Sequence, residues 1–104
     1  MRLSLVMFAV VSLGSATPAL GTVEEFTDAC LTSSNLNRPV CECCGLKAED
    51  RLSPLAFEFL IATLQKNKTK IEELRPQLSM QEAMDAGMFM VGAPAECANE
   101  MPGQ

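Results

Sequence analysis

Cys41-Glu42-Cys43-Cys44 gathers three of the chain's five cysteines into four positions, with Cys30 upstream and Cys97 far downstream. Thiols so grouped have three chemistries open to them: disulfide formation, soft-metal binding and thiol exchange. In an oxidising compartment the first prevails. Five is an odd number, so at least one thiol has no intramolecular partner. On a helix successive side chains turn by about 100°. Glu42 and Glu49 then mark a wet line, Val40 and Cys44 point nearly opposite it, and Cys41 and Cys43 splay to its two sides. Cys41 and Cys43 are badly placed to bond each other, but each reaches a different neighbour. The leading pairing joins Cys30 to Cys43 and Cys41 to Cys97, leaving Cys44 as a buried free thiol. The swapped pairing, Cys30 with Cys41 and Cys43 with Cys97, satisfies the same geometry, and connectivity does not follow from spacing. Either pattern ties both ends of the domain to the cysteine-rich helix, at about 2–4 kcal/mol per bridge.

The same sulfurs have a metal reading. Met80, Met84 and Met88 recur at spacing four, with Met90 beside them. Thiolates and thioethers together favour Cu(I). Cys41, Cys43, Cys44, Met84 and Met88 would be the ligands of a periplasmic Cu(I) carrier. Against it, zinc-type sites show paired C-x2-C knuckles, and this cluster is C-x-C-C with single distant partners. A methionine row at helical spacing is ordinarily the buried face of a helix, with Met filling irregular gaps. The expectation is therefore core methionine, no metal and no cofactor. Cys41 and Cys44 also form a C-x-x-C pair, the basis of a thiol-redox alternative. Cys41 would sit in the first turn of a helix, where the dipole favours a thiolate. No strand precedes it, and the structural role is preferred. The chain has no His, which removes the commonest general base and metal ligand. Glu24-Glu25 and Glu72-Glu73 lack a neighbouring nucleophile and read as helix surface. The chain is thus expected not to be an enzyme, with no catalytic or cofactor-binding residue.

The N-terminus sets the compartment. Arg2 supplies a positive start, Leu3 to Leu13 is almost unbroken apolar sequence, and Ala19-Leu20-Gly21 fits a small-x-small cleavage pattern. Residues 1–21 read as a cleaved secretory signal peptide, with a cut after Ala16 as the second choice. The apolar stretch is about half of the roughly 20 residues that span a bilayer. The expected location is secreted or periplasmic. Loss of Arg2 takes the net charge from −5 to −6. That acidity argues against nucleic acid and anionic membrane surfaces as partners. A domain this small has a marginal core, for which disulfides are a common remedy.

The elements that hold these residues read as helix throughout. Thr22 to Glu25 is a capping box opening a first helix over 23–33, with Phe26, Ala29 and Cys30 on its inner face. Thr32-Ser33-Ser34-Asn35 ends it. Pro39 starts a second helix over 39–50. Ser53-Pro54 starts a third over 54–66, nearly apolar all round and hence central. A fourth spans 69–75 before Pro76. Ser79 to Glu82 is a second capping box, opening a fifth helix that Gly92-Ala93-Pro94 stops near Val91. The fold class is an all-α bundle of four or five short helices stapled by two disulfides, comprising residues 22–97, with 98–104 a disordered tail. Lys66, Lys68 and Lys70 line a turn that also holds the sequon Asn67-Lys68-Thr69, an N-glycosylation acceptor in a eukaryotic secretory route. The functional expectation is a small exported structural or interaction protein binding a protein or apolar ligand, through a groove between the third helix and the methionine-bearing fifth. In size, class and compartment this resembles small periplasmic acid-stress chaperones, with no shared motif. A covalent dimer through Cys44 is the one oligomer the cysteine count suggests.

Overall fold

The computed structural model describes residues 21–101. The expected leader falls outside the described residues except for Gly21, as do residues 102–104 of the tail. Five α-helices and one 3-10 turn account for nearly all of the described chain: α1 Val23–Ser33, α2 Arg38–Arg51, α3 Pro54–Gln65, α4 Lys68–Leu74, the 3-10 turn Arg75–Gln77, and α5 Met80–Glu100. The fold is an all-α bundle carrying two disulfides.

Each helix starts where the sequence offers its first backbone N–H groups a partner. The Glu25 N–H donates to Thr22 Oγ1 at 3.1 Å, and the Thr22 N–H to Glu25 Oε1 at 3.2 Å, a reciprocal cap. Asn37 Oδ1 accepts from the Val40 N–H at 3.0 Å and Ser53 Oγ from the Ala56 N–H at 3.1 Å. Ser79 and Glu82 repeat the reciprocal cap on α5. Ser53 has a second task. Its hydroxyl donates to Glu82 Oε2 at 2.6 Å, joining the start of α3 to the start of α5. Helix α1 ends as expected, with Ser34 Oγ donating to the Cys30 carbonyl at 2.7 Å and accepting from the Leu36 N–H at 3.2 Å. Helix α3 ends differently, on Lys66 in the left-handed region at φ 57°. The Asn67 N–H closes back on the Ala62 carbonyl at 3.0 Å and the Lys66 N–H on Thr63 at 3.1 Å, a Schellman closure that usually employs glycine.

The core lies where α1, α2, α3 and the later part of α5 meet. Phe26 of α1 is fully buried and stacks on Phe57 of α3, with ring centroids 6.0 Å apart. Gly45 lets α2 approach α1. A Cβ there would lie 3.0 Å from Val23 Cγ1 and 3.2 Å from Phe26 Cδ1, tighter than packed side chains tolerate. Helix α3 supplies Ala56, Phe57, Leu60, Ile61 and Ala62 to the core, while Leu55 and Phe59 stay partly exposed.

The fifth helix corrects the sequence reading. It does not stop near Val91 but runs through Gly92, Ala93 and Pro94 to Glu100, so Ala98, Asn99 and Glu100 are helical and not a disordered tail. An interior proline deletes one i→i−4 bond and crowds the preceding turn, at about 3 kcal/mol. Tertiary contacts offset that cost. Ala93 and Cys97 are completely buried, Cys97 is bridged to α2, and Glu96 and Glu100 pair with cations of α2. No described helix is long and apolar enough to cross a membrane.

Candidate functional site

The cysteine cluster resolves into two bridges and one thiol. Cys30 of α1 bonds Cys41, and Cys43 bonds Cys97 of α5, with Cα separations of 5.7 and 5.8 Å. This is the swapped pairing. The leading expectation, Cys30 with Cys43 and Cys41 with Cys97, is incorrect, although the same four cysteines are used. Cys41 and Cys43 do splay to two sides of α2. Which side meets α1 is set by how the Gly45 face seats on Val23 and Phe26, and this turns Cys41 toward Cys30.

Cys44 is the free thiol and has no solvent exposure. Burial pushes its pKa above the ordinary 9.0, with Lys47 opposing and Glu96 reinforcing the shift. A protonated thiol sealed in a core is a poor nucleophile and a small apolar filler. A covalent dimer through Cys44 has no route to form in this folded state. The C-x-x-C pairing of Cys41 with Cys44 is likewise not made, since Cys41 is spent on Cys30.

The proposed copper ligands are not brought together. Cys41 and Cys43 hold their sulfurs in disulfides, Cys44 is buried, and Met84 and Met88 stand 56% and 64% exposed. Among the described residues no three His, Cys, Asp or Glu side chains gather to hold a metal ion.

The exposure of the methionines overturns the expectation that they fill the core. Met80 and Val91 are 80% and 74% exposed. Helix α5 buries Ala86, Phe89, Ala93 and Cys97 along one face. The intervals of four, four and three from Met80 through Met84 and Met88 to Val91 place those four on the opposite face. Met90 alone of the helix's methionines packs against the core. The expected groove between α3 and α5 is therefore not built from Met84 and Met88. Their row stands out from the bundle. Spacing alone signalled a stripe but not which way it faced, because Phe89 and Ala93 compete for the core and aromatic burial outweighs methionine burial.

Sequence reading also missed a charged seam between α2 and α5. Arg51 forks onto Glu96 at 2.9 and 3.3 Å, and Lys47 Nζ lies 3.0 Å from Glu100 Oε2 and 3.7 Å from Glu96 Oε1. Arg51 holds the Glu96 carboxyl below its usual range, and Glu96 holds Arg51 above its own. Matching intervals of four, Lys47 to Arg51 and Glu96 to Glu100, were the available signal. They become meaningful only once α5 continues past Pro94. Beside this seam Pro39, Glu42, Cys43, Leu46, Lys47, Glu100 and Met101 line a shallow cavity of about 370 Å³. Of the lysine turn, Lys70 is engaged with Glu58 at 3.0 Å, which raises its pKa. Asn67 is exposed, with Oδ1 accepting the Lys70 N–H at 3.1 Å as the cap of α4.

No family model, curated protein or solved structure matches this chain in comparisons of its sequence and fold with known proteins.

Proposed function

We propose that the chain is an exported interaction module, without a catalytic step of its own, that binds a protein or apolar ligand through the outer face of α5. The observation that carries this is the exposed row Met80, Met84, Met88 and Val91. Scattered surface apolar residues need no explanation, but a contiguous patch of several hundred Å² marks an interaction site. Methionine suits the task, because its flexible thioether repacks against differing partners. The Cys43–Cys97 bridge and the charged seam support the reading from the other side, by tying α5 to α2 while its outer face stays free. Disulfides agree with a secreted or periplasmic setting.

The test is a neutral hydrophobic dye such as Nile red, added to the oxidised protein and to a Met84→Glu, Met88→Glu double variant. Both sites are exposed, so the variant's thermal midpoint should stay within a few degrees of the parent. Dye fluorescence should fall several-fold. Equal dye response in the two proteins would remove α5 as the binding face.

A further inference from the structure

We infer that the outer face of α5 is self-complementary and pairs with the same face of a second copy of this chain, an inference that rests on the binding role proposed above for that face.

Charge gives the first argument. With about 100° per residue, Met80, Ala83, Met84, Gly87, Met88, Val91, Ala95 and Ala98 fall on one half of the helix. The helix's four charged residues, Glu82, Asp85, Glu96 and Glu100, all fall on the other half. In an acidic chain of net charge −5, an outer face with no charge of either sign offers nothing to steer a basic partner. It also presents no direct like-charge contact to its own copy. The carboxylates beyond its rim are screened over a Debye length of about 8 Å at physiological salt.

Shape gives the second. Met80, Met84 and Met88 form a ridge along the four-residue row. The neighbouring row, Ala83, Gly87, Val91 and Ala95, is lower, and a Cβ added at Gly87 would meet nothing within 4 Å. A two-fold axis near Gly87 sets each ridge into the other copy's trough, the four-four packing that crosses helices at about −50°. An isologous contact of this kind closes at two subunits.

Area gives the third. At exposures of 80, 56, 64 and 74%, Met80, Met84, Met88 and Val91 present on the order of 500 Å², as large as the principal patch of a typical monomer. Complete burial of two such faces would remove about 1,000 Å² together, the lower bound for a specific interface. The pairing is therefore weak and reversible, not obligate. It is also non-covalent, since Cys44 is buried.

Sedimentation equilibrium on the oxidised chain, from micromolar toward millimolar concentration, tests the pairing. The expected result is a monomer that converts to a dimer within that range, more readily at higher salt because screening reduces the repulsion of two acidic chains. Met84→Glu with Met88→Glu should weaken dimerisation by at least roughly tenfold, which is 1.4 kcal/mol or more. Leu46→Glu, an exposed apolar site on α2, should leave it unchanged. A monomer at every concentration, or a dimer that survives the double substitution, overturns the proposal. If the chain stays monomeric while dye binding still depends on Met84 and Met88, the pairing is wrong and the binding role stands. If dye binding is lost as well, both fall.

Discussion

The Cys44 thiol shows how burial governs chemistry at a single side chain. In the native state burial keeps it protonated, whereas in the unfolded chain it ionises near its ordinary value. Below that value both states hold the proton, and the thiol contributes no pH dependence. Above it the unfolded state binds fewer protons, so stability falls as pH rises past that value toward the native pKa. Urea midpoints measured from pH 7 to 10 should decline over the upper part of that window, and Cys44→Ala should flatten the decline. A decline unaltered by the substitution would place its origin elsewhere. In the same experiment the thiol should resist an aromatic disulfide reagent in the folded protein and titrate as one group after unfolding. The helical angle of Cys44 was legible in the sequence, because Val40 and Cys44 share the side of α2 that Glu42 and Glu49 avoid. Its pKa shift was not, because desolvation depends on the walls that α5 and α1 bring up.

Helix starts were legible because each depends on residues within one turn. Thr22 with Glu25, Ser53 with Pro54, and Ser79 with Glu82 announce themselves locally, and their hydrogen bonds are present. Helix ends depend more on context. Gly92-Ala93-Pro94 carries every local sign of a stop, yet α5 continues for two turns because Cys97, Glu96 and Glu100 are held by α2. Pro94 therefore sits in a helix that pays for a missing hydrogen bond. Pro94→Ala should restore the donor to the Met90 carbonyl and stabilise the protein. The gain should be about 1–2 kcal/mol by urea unfolding, less than the full proline penalty because alanine also frees the unfolded chain. A loss of stability on that substitution would show that Pro94 itself is required for the α2–α5 fit. Lys66 is a second contextual end. Its left-handed backbone is uncommon for a lysine, and only the Schellman closure onto Ala62 and Thr63 reveals it.

Taken as a molecule, the chain is a short-range framework closed by one long-range bridge. Cys30–Cys41 spans 11 residues and Cys43–Cys97 spans 54. In the chain-entropy account these loops correspond to about 3 and about 4 kcal/mol. Replacing Cys43 and Cys97 together by Ala should thus cost about 1 kcal/mol more than replacing Cys30 and Cys41, as read from urea unfolding. It should also lower helical circular dichroism, because the last turns of α5 lose the anchor that offsets Pro94. Equal losses for the two pairs would mean that the seam of Lys47, Arg51, Glu96 and Glu100 suffices to hold α5. What the amino-acid sequence determined by itself is whatever depends on neighbours within a few residues: the all-α class, the capped starts, the two-sided placement of Cys41 and Cys43, and a stripe of methionines on one helix face. Only the tertiary structure decided which cysteine meets which, that α5 passes through its proline, and that the methionine stripe faces outward. Those outcomes depend on how whole helix faces compete for one small core, where Phe26, Phe57 and Phe89 bury more apolar surface than the methionines can offer.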